Sequence, residues 1–327
     1  MNNNQSKLIN LFIRLLPLYK IRNIILDLRV LFFNPKIHLS NTIVNSKIMS
    51  LVPSRGRNTI TIVHEMKGVI ELFDKLKISN SSEVIDRSDK IIAVSNSVRK
   101  DLINKLKVSN DKIEVIYNSS NYFQKEKLTK KDIESWKVRN GIPLNAFLVG
   151  TCGGPIWRKG PDIFLNIVKS FISKYPKKEI FFIWQGGKKN SSQFLDFQTE
   201  LRMLEIEKYG TIIPQTKNVH FFYNAIDIFI STAREEPFGL TILEAGTYSK
   251  PCIAFRQSGG PEELLSDNLG ILVSYGDYNK AADEINKLIH DENLYYKYAS
   301  SINEFVIKNN SQNKLSKYKE IIDRFII

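Results

Sequence analysis

The sequence predicts an α/β protein with parallel strands, arranged as two domains. Three observations carry this. Short apolar runs alternate with helical stretches along most of the chain, the signature of strand–helix–strand units. The 327 residues fit two domains at roughly 100–200 residues each, enough for two real cores. Glycine-bearing turns recur where an apolar run hands over to a helix, within residues 150–160, 231–244 and 258–263.

In chain order, residues 6–18 read as an amphipathic helix with Leu8, Leu11, Phe12, Leu15 and Leu16 near one face. Residues 21–33 fit a helix or a strand equally. Short strands follow around 37–39, 59–63, 90–94 and 112–116, with a helix at 97–107 between the last two. Ser95, Asn96 and Ser97 supply N-cap chemistry for that helix. Residues 124–140 are charged and poor in apolar side chains apart from Trp136, which reads as a linker plus a connecting helix. A second set then begins. Its strands are expected at 146–151, 180–185, 212–214, 226–231, 252–255 and 270–273. Its helices are expected at 161–175, 193–209, 221–225, 238–248, 261–265, 279–290 and 293–308, with a helical tail at 316–327. The expected division is a front domain at 1–135, a linker at 136–145, a complete doubly wound domain at 146–310, and a C-terminal helix at 311–327 that packs back on the front domain. Ligands of such sheets bind beyond the carboxyl ends of the strands.

Composition removes several classes. Hydrophobic content of 43% and charged content of 25% exclude global disorder. Cys152 and Cys252 are the two cysteines, far apart, which suits a reducing compartment; neither has a metal-ligand spacing partner, and the four histidines are scattered. No run reaches the roughly 18 apolar residues of a membrane span. Arg14 interrupts the first apolar stretch and no small-residue cleavage site follows, so a signal peptide is not expected. The net charge is +13 and uneven: residues 1–140 hold 25 Lys and Arg against 13 Asp and Glu, whereas residues 141–327 hold 22 against 21. The basic half should face something anionic. It has no nucleic-acid recognition motif and no array of stacking aromatics, so nucleic acid is not the expected partner.

The chemistry concentrates in the three turns. In S-T-A-R-E-E-P-F-G-L-T-I-L-E (231–244), a strand ends, an acidic turn with proline and glycine follows, and a helix begins. The backbone N–H groups of Phe238, Gly239, Leu240 and Thr241 are expected to form an anion site at that helix start. Glu236 precedes the helix and Glu244 lies two turns along it, which suits a ligand both phosphorylated and polyhydroxylated. The competing reading is a capped helix whose dipole favours acids. In G-T-C-G-G-P-I-W-R-K-G (150–160), Gly153 and Gly154 allow close approach of a phosphate, and Arg158 and Lys159 supply positive charge. The glycine spacing is not that of a Walker loop, and no Ser or Thr follows the lysine. In S-G-G-P-E-E (258–263), Gly259 and Gly260 open another helix beside the same sheet edge.

Together these segments resemble family 4 glycosyltransferases, retaining and nucleotide-sugar dependent, of the GT-B fold. The E-x7-E signature is met by Glu236 and Glu244, the R-K-G turn by residues 158–160 and the G-G-P-E turn by residues 259–262. The phrases F-Y-N-A-I-D-I-F-I-S-T (222–232), I-I-A-V-S-N-S-V-R-K-D-L (91–102), K-I-E-V-I-Y-N (112–118), S-N-T-I-V-N-S (40–46) and V-H-E-M (63–66) also fit. The resemblance spans roughly residues 36–310. It implies two Rossmann-like domains facing a cleft. Glu244 would bind the donor's ribose, and Glu236 would contact the transferred sugar. Lys159, with Arg158, would stabilise the diphosphate leaving group. Gly153, Gly154, Gly259, Gly260 and the amides of residues 238–241 would line the donor. His64 would lie near sugar and acceptor; on its own it reads by default as a core or capping histidine, and the resemblance reverses that preference. No cofactor and no metal are implied, because the nucleotide diphosphate sugar is the donor substrate and the hexosyl group moves to a glycan or lipid-linked acceptor in cell-surface polysaccharide assembly.

Two departures qualify the resemblance. Many family members carry a second basic residue six positions before the lysine of R-K-G, where this chain has Gly153. The front is also short: 63 residues precede His64, and the first glycine is Gly56, so no strand-then-Gly-Gly loop precedes the histidine. An incomplete front sheet would expose an edge or face, with the N-terminal helix, a second copy, a separate chain or a membrane as candidate covers. Lys7, Arg14, Lys20, Arg22 and Arg29, interleaved with Leu and Phe, suit either peripheral contact with anionic lipid on the inner face of the cytoplasmic membrane or a solvated basic face of a packed helix. The rival function, from a different class, is a non-catalytic or decayed nucleotide-sugar-binding protein without a complete acceptor domain.

Overall fold

A computed structural model describes residues 36–50, 57–118, 126–309 and 313–326. The expected elements at 6–18 and 21–33, Gly56 and the basic residues from Lys7 to Arg29 lie outside the described residues. Contacts divide the chain into two compact units. The first holds residues up to Val94, Arg99–Ile116 and the chain from Leu315 onward; the second holds Ser95–Val98 and Tyr117–Lys314.

The first unit contains a parallel four-stranded sheet, β1 (Ile37–Ser40), β2 (Asn58–Val63), β3 (Lys90–Ala93) and β4 (Ile113–Val115), in sequential order. Its helices are α1 (Ser46–Met49), α2 (Lys67–Lys75), α3 (Ser81–Arg87) and most of α4 (Asn96–Leu106). β2 is buried from Thr59 to Val63, as a strand with neighbours on both edges should be. The C-terminal helix Asn313–Ile326 joins this unit: Arg324 pairs with Glu114 at 3.0 Å, and the Asn58 side-chain amide donates to the Phe325 carbonyl at 2.9 Å.

The second unit contains a parallel six-stranded sheet: β5 (Phe147–Cys152), β6 (Ile180–Gln185), β7 (Gly210–Ile213), β8 (Ile228–Ser231), β9 (Cys252–Phe255) and β10 (Ile271–Val273). The order β10-β9-β8-β5-β6-β7 is the doubly wound 3-2-1-4-5-6 arrangement read from the far edge. The strand order therefore reverses between β5 and β8, which pair directly at Val149 and Gly150. Helices Pro161–Lys174, Ser192–Met203 and Tyr278–His290 bury apolar stripes on the sheet. Phe164 meets Trp184 edge-on, with ring centroids 5.5 Å apart. Each such buried aromatic contributes on the order of 2–3 kcal/mol of apolar burial. The Trp184 indole N–H donates to the Gly153 carbonyl at 2.8 Å, so the core anchors the first glycine turn.

Three expectations need correction. The helix expected at 193–209 ends at Met203, because Glu205 takes a left-handed φ of 56° and the chain caps itself: Glu205 N–H donates to the Arg202 carbonyl, and Ile206 N–H to the Leu201 carbonyl. The helix expected from 238 starts at Leu240, because Gly239 at φ 99° breaks the approach. The boundary expected at 135 lies instead after Ile116. The connecting helix Lys130–Arg139, opened by a Thr129–Asp132 capping box, belongs to the second unit, where Trp136 stacks on Phe221 at 6.4 Å.

Candidate active site

The Rossmann order puts the ligand crevice at the carboxyl ends of β5 and β8. Both ends lead into segments that the sequence singled out. After β5 the chain passes Gly153 and Gly154 and forms a single 3-10 turn, Trp157–Lys159, that ends on Gly160 at φ 67°. After β8 it runs through Thr232 to Glu236. The two segments are stitched by backbone. Arg234 N–H donates to the Arg158 carbonyl at 2.8 Å, and the Thr232 hydroxyl donates to the Lys159 carbonyl at 2.9 Å. A methyl group at Gly160 would come within 2.1 Å of the Thr232 carbonyl oxygen, so this residue has to be glycine.

This stitching brings the charges together. Glu236 Oε2 receives the Lys159 ammonium and, at 3.1 Å, the Arg158 guanidinium, which also donates to the Glu235 carbonyl at 2.8 Å. The three side chains are 14–25% exposed, so the cluster is partly desolvated yet reachable. Low dielectric strengthens such interactions toward an entering anion. The Lys159 side chain lies along Gly153, where an added methyl would stand 3.2 Å from the lysine Cε. Gly154 has open space around it. Arg234 holds the turn from outside through a two-pronged pair with Asp162 and a cation–π contact, 5.1 Å, with Trp157.

Glu244 sits on the helix Leu240–Thr247 and accepts from the Tyr223 hydroxyl at 2.6 Å. Burial pushes the Glu244 carboxyl up, while the Tyr223 bond and the Lys159 charge pull it down; the balance is a raised pKa. Burial and Glu244 push the Cys152 thiol up to about 12, so Cys152 is an uncharged wall of this site. Helical geometry leaves the amides of Leu240 and Thr241 without partners inside their helix. Phe238 and Gly239 lie before the helix and are placed by packing instead. Glu236 N–H donates to the Ser258 carbonyl at 2.9 Å, and Gly260 N–H to the Glu236 carbonyl at 2.7 Å. A methyl at Gly260 would sit 2.3 Å from the Phe238 backbone, and Gly259 takes φ 89°, ψ −119°. These two glycines therefore shape the Glu236 loop.

His64 stands in the first unit, just past β2. Its Nε2 is 3.0 Å from Asn41 Oδ1, and burial lowers its pKa against the opposing pull of Glu65. Glu65 ties the loop after β1 to this point, pairing with the Thr42 hydroxyl and accepting from the amides of Ile43 and His64 at 3.4 and 3.1 Å. The structure thus gathers Arg158, Lys159, Glu236, Glu244, the Gly153 turn, the 238–241 amides and the Gly259–Gly260 turn in one unit, and places His64 in the other. Sequence reasoning passed over Tyr223, Thr232 and Arg234. Nothing local marks Tyr223, which sits in a short apolar helix.

A doubly wound domain with a glycine turn, two cations and two carboxylates around its topological switch point defines an α/β protein with a polar crevice suited to an anionic ligand. The comparisons narrow the class. Residues 132–319 match the family described as Glycosyl transferases group 1, and the chain belongs to it; residues 8–120 match Glycosyltransferase Family 4. The capsular polysaccharide biosynthesis glycosyltransferase CapM of Staphylococcus aureus is 24% identical over 264 residues, covering 80% of this chain and 67% of that protein. The N-acetyl-alpha-D-glucosaminyl L-malate synthase of Bacillus anthracis is 25% identical, covering 72% of this chain and 60% of that one. A D-inositol 3-phosphate glycosyltransferase of Corynebacterium kroppenstedtii is 23% identical, and the match spans 48% of its length; the chain thus covers about half to two thirds of these relatives. Among solved structures, a Rickettsia africae glycosyltransferase aligns with TM-score 0.75 at 22% identity, over 93% of this chain and 80% of that one. Anabaena HepE, solved in complex with UDP and glucose, aligns with TM-score 0.74 at 19% identity, over 91% of this chain and 80% of HepE. The fold is GT-B-like.

Proposed function

We propose that this chain transfers a hexose from a nucleotide diphosphate sugar to a glycan or lipid-linked acceptor, with retention at the anomeric carbon. The observation that carries the donor half is the cluster of Arg158, Lys159 and Glu236 at the β5 and β8 strand ends, with Glu244 held beside it by Tyr223. Glu236 pairs with both cations and leaves the cluster one positive charge in excess. An entering diphosphate takes them over, because it offers two anionic phosphates for one carboxylate. Glu236 is then released to accept from a sugar hydroxyl, and Glu244 accepts from the ribose. As the glycosyl–phosphate bond breaks, charge grows on the leaving phosphate, and Lys159, Arg158 and the amides of Leu240 and Thr241 stabilise it. These fixed groups supply the positive charge without a metal in the proposal. The HepE complexes with UDP and with UDP-glucose support a nucleotide donor, and CapM, a capsular polysaccharide biosynthesis enzyme, supports cell-surface polysaccharide assembly as the setting.

The expected site of action is the cytoplasmic membrane surface. No helix among the described residues is long and apolar enough to cross a membrane. Contact would be peripheral, through the first unit. There Leu72, Leu76, Ile78 and Ile48 are exposed next to Lys75, Lys77 and Lys47. The Ser46 hydroxyl accepts from Asn80 N–H at 2.8 Å, which brings α1 beside the start of α3, just past the turn that carries Lys77 and Ile78.

The test is Lys159→Ala, assayed by donor hydrolysis and transfer across a panel of nucleotide sugars. We expect kcat to fall by about 10²–10³, the cost of removing one preorganised charge donor, with an unchanged melting profile. Undiminished turnover in the folded variant would sink the proposal. Proton NMR of the product should show the donor's anomeric configuration; inversion would reject the retaining assignment.

A further inference from the structure

The loop that carries Glu236 is held from two sides, and the second side comes from far away in sequence. On one side lies the 258–260 turn already described. On the other, the Ser95 hydroxyl donates to the Pro237 carbonyl at 2.6 Å, and the Tyr117 ring lies 5.8 Å from the Phe238 ring, tilted by 31°. Pro237 and Phe238 directly follow Glu236, so these contacts fix the backbone that leads into the Leu240 and Thr241 amides.

One carboxylate organises both contacts. Glu263 Oε1 accepts from the Asn96 amide at 3.0 Å, from the Asn96 side chain at 2.9 Å and from the Tyr117 hydroxyl at 2.6 Å. Its Oε2 accepts from the Ser97 amide at 2.9 Å and from the Ser97 hydroxyl at 3.0 Å. Burial pushes the Glu263 carboxyl up, but the bonds from Tyr117, Ser97 and Asn96 outweigh it and hold its pKa below the ordinary value. Ordinary helix capping does not require this. Ser95 already caps α4 locally, its hydroxyl accepting from Val98 N–H at 3.0 Å. Glu263 instead ties Asn96, Ser97 and Tyr117 into one rigid piece, and that piece presents Ser95 to Pro237 and Tyr117 to Phe238.

We propose that Glu263 is a positioning residue for the donor loop: by fixing Ser95 and Tyr117 against Pro237 and Phe238, it sets the backbone that receives the donor's distal phosphate and sugar. The inference rests on the donor-site reading above. Glu263 touches no reacting group and acts through the loop.

Calorimetry on the full chain tests it, with UDP, GDP and ADP and the matching monophosphates as probes. Glu263→Gln keeps the shape but turns an N–H group toward a donor. Ser95→Ala deletes a single hydroxyl and carries the test if the first variant fails to fold. For whichever base the wild type binds, we expect the ratio of diphosphate to monophosphate affinity to fall about tenfold in Glu263→Gln, equivalent to about 1.4 kcal/mol, and about threefold in Ser95→Ala. A merely structural role would lower the melting temperature and weaken both probes equally; an unchanged ratio in both variants overturns the inference while leaving the donor site standing. A wild type that binds none of the three diphosphates overturns the donor-site reading and the inference with it.

Discussion

The two units solve the same topological problem with different means. In the second, the strand order reverses between β5 and β8, the point at which sheets of this kind hold their ligands. In the first, the order runs straight from β1 to β4, with no such reversal among the described residues. The glycines follow this difference: fourteen of the sixteen lie from Gly141 onward. In the second unit they let backbone segments meet at the strand ends, as at Gly160 and Gly260. In the first unit the polar groups past the strands are held by side chains, with His64 on Asn41 and Glu65 on Thr42. Where topology opens a crevice, the chain shapes it with backbone; where it does not, one side-chain network suffices.

The sharpest way to break that contrast is Gly160→Ala beside Gly154→Ala. The first adds a methyl 2.1 Å from a backbone carbonyl at φ 67°, where neither partner can yield cheaply. It should destabilise the second unit by about 2–4 kcal/mol and abolish nucleotide binding. The second adds a methyl to open space and should cost less than about 0.5 kcal/mol. Equal denaturant midpoints for the two variants would show that close backbone approach does not shape this turn.

The same contrast explains what could be read from the sequence. Every strand among the described residues overlaps a run that the sequence marks, most legibly where both faces are buried, as in β6, which is buried at all six positions. The glycine turns were legible for a similar reason, since glycine has few other uses beside a cation pair. Helices α2 and α3 of the first unit were not read. α2 has no side-chain cap of its own, and its Lys67 amide is satisfied by Asp101, 34 residues away. The carriers of site geometry were hidden likewise. Tyr223, Thr232 and Glu263 act across 21, 73 and up to 167 residues, and no local spacing encodes such pairings. The GT-B-like fold was thus visible in advance; the side chains that hold Arg158, Lys159, Glu236 and Glu244 in place were not.

A smaller effect separates function from stability inside the second unit. The Glu244 carboxyl has a raised pKa in the folded chain, chiefly through burial. The folded state therefore holds its proton more tightly than the unfolded state, and wild-type stability falls as pH rises from the ordinary carboxylate value through the raised one. Glu244→Gln does not titrate and keeps an oxygen for the Tyr223 hydroxyl. Its melting temperature relative to wild type should rise with pH across that window and then level off, while nucleotide binding weakens by about tenfold, the loss of a charged acceptor. A melting difference independent of pH between 4 and 7 would show that the buried carboxylate carries no cost, and that this site is no more strained than the polar network around His64.

The smallest effect concerns surfaces rather than sites. Residues 1–140 carry nearly all the net charge, and the described part of that half exposes Leu72, Leu76 and Ile78 on and just beyond α2, with Lys75 and Lys77 between them. Apolar side chains interleaved with lysines match the boundary between lipid headgroups and acyl chains. Each lysine near an anionic surface contributes about 1 kcal/mol, and the attraction decays within about 8 Å at physiological salt. Reversing both Lys75 and Lys77 to Glu should therefore weaken co-sedimentation with phosphatidylglycerol–phosphatidylcholine vesicles by at least about tenfold, and raised salt should mimic the change. The control is the same reversal at Lys177 and Lys297, on the nearly neutral second unit, which should alter sedimentation by less than about twofold. If that pair matters as much as Lys75 and Lys77, attraction is a property of total charge, and the asymmetry between the two halves assigns no membrane role to the first.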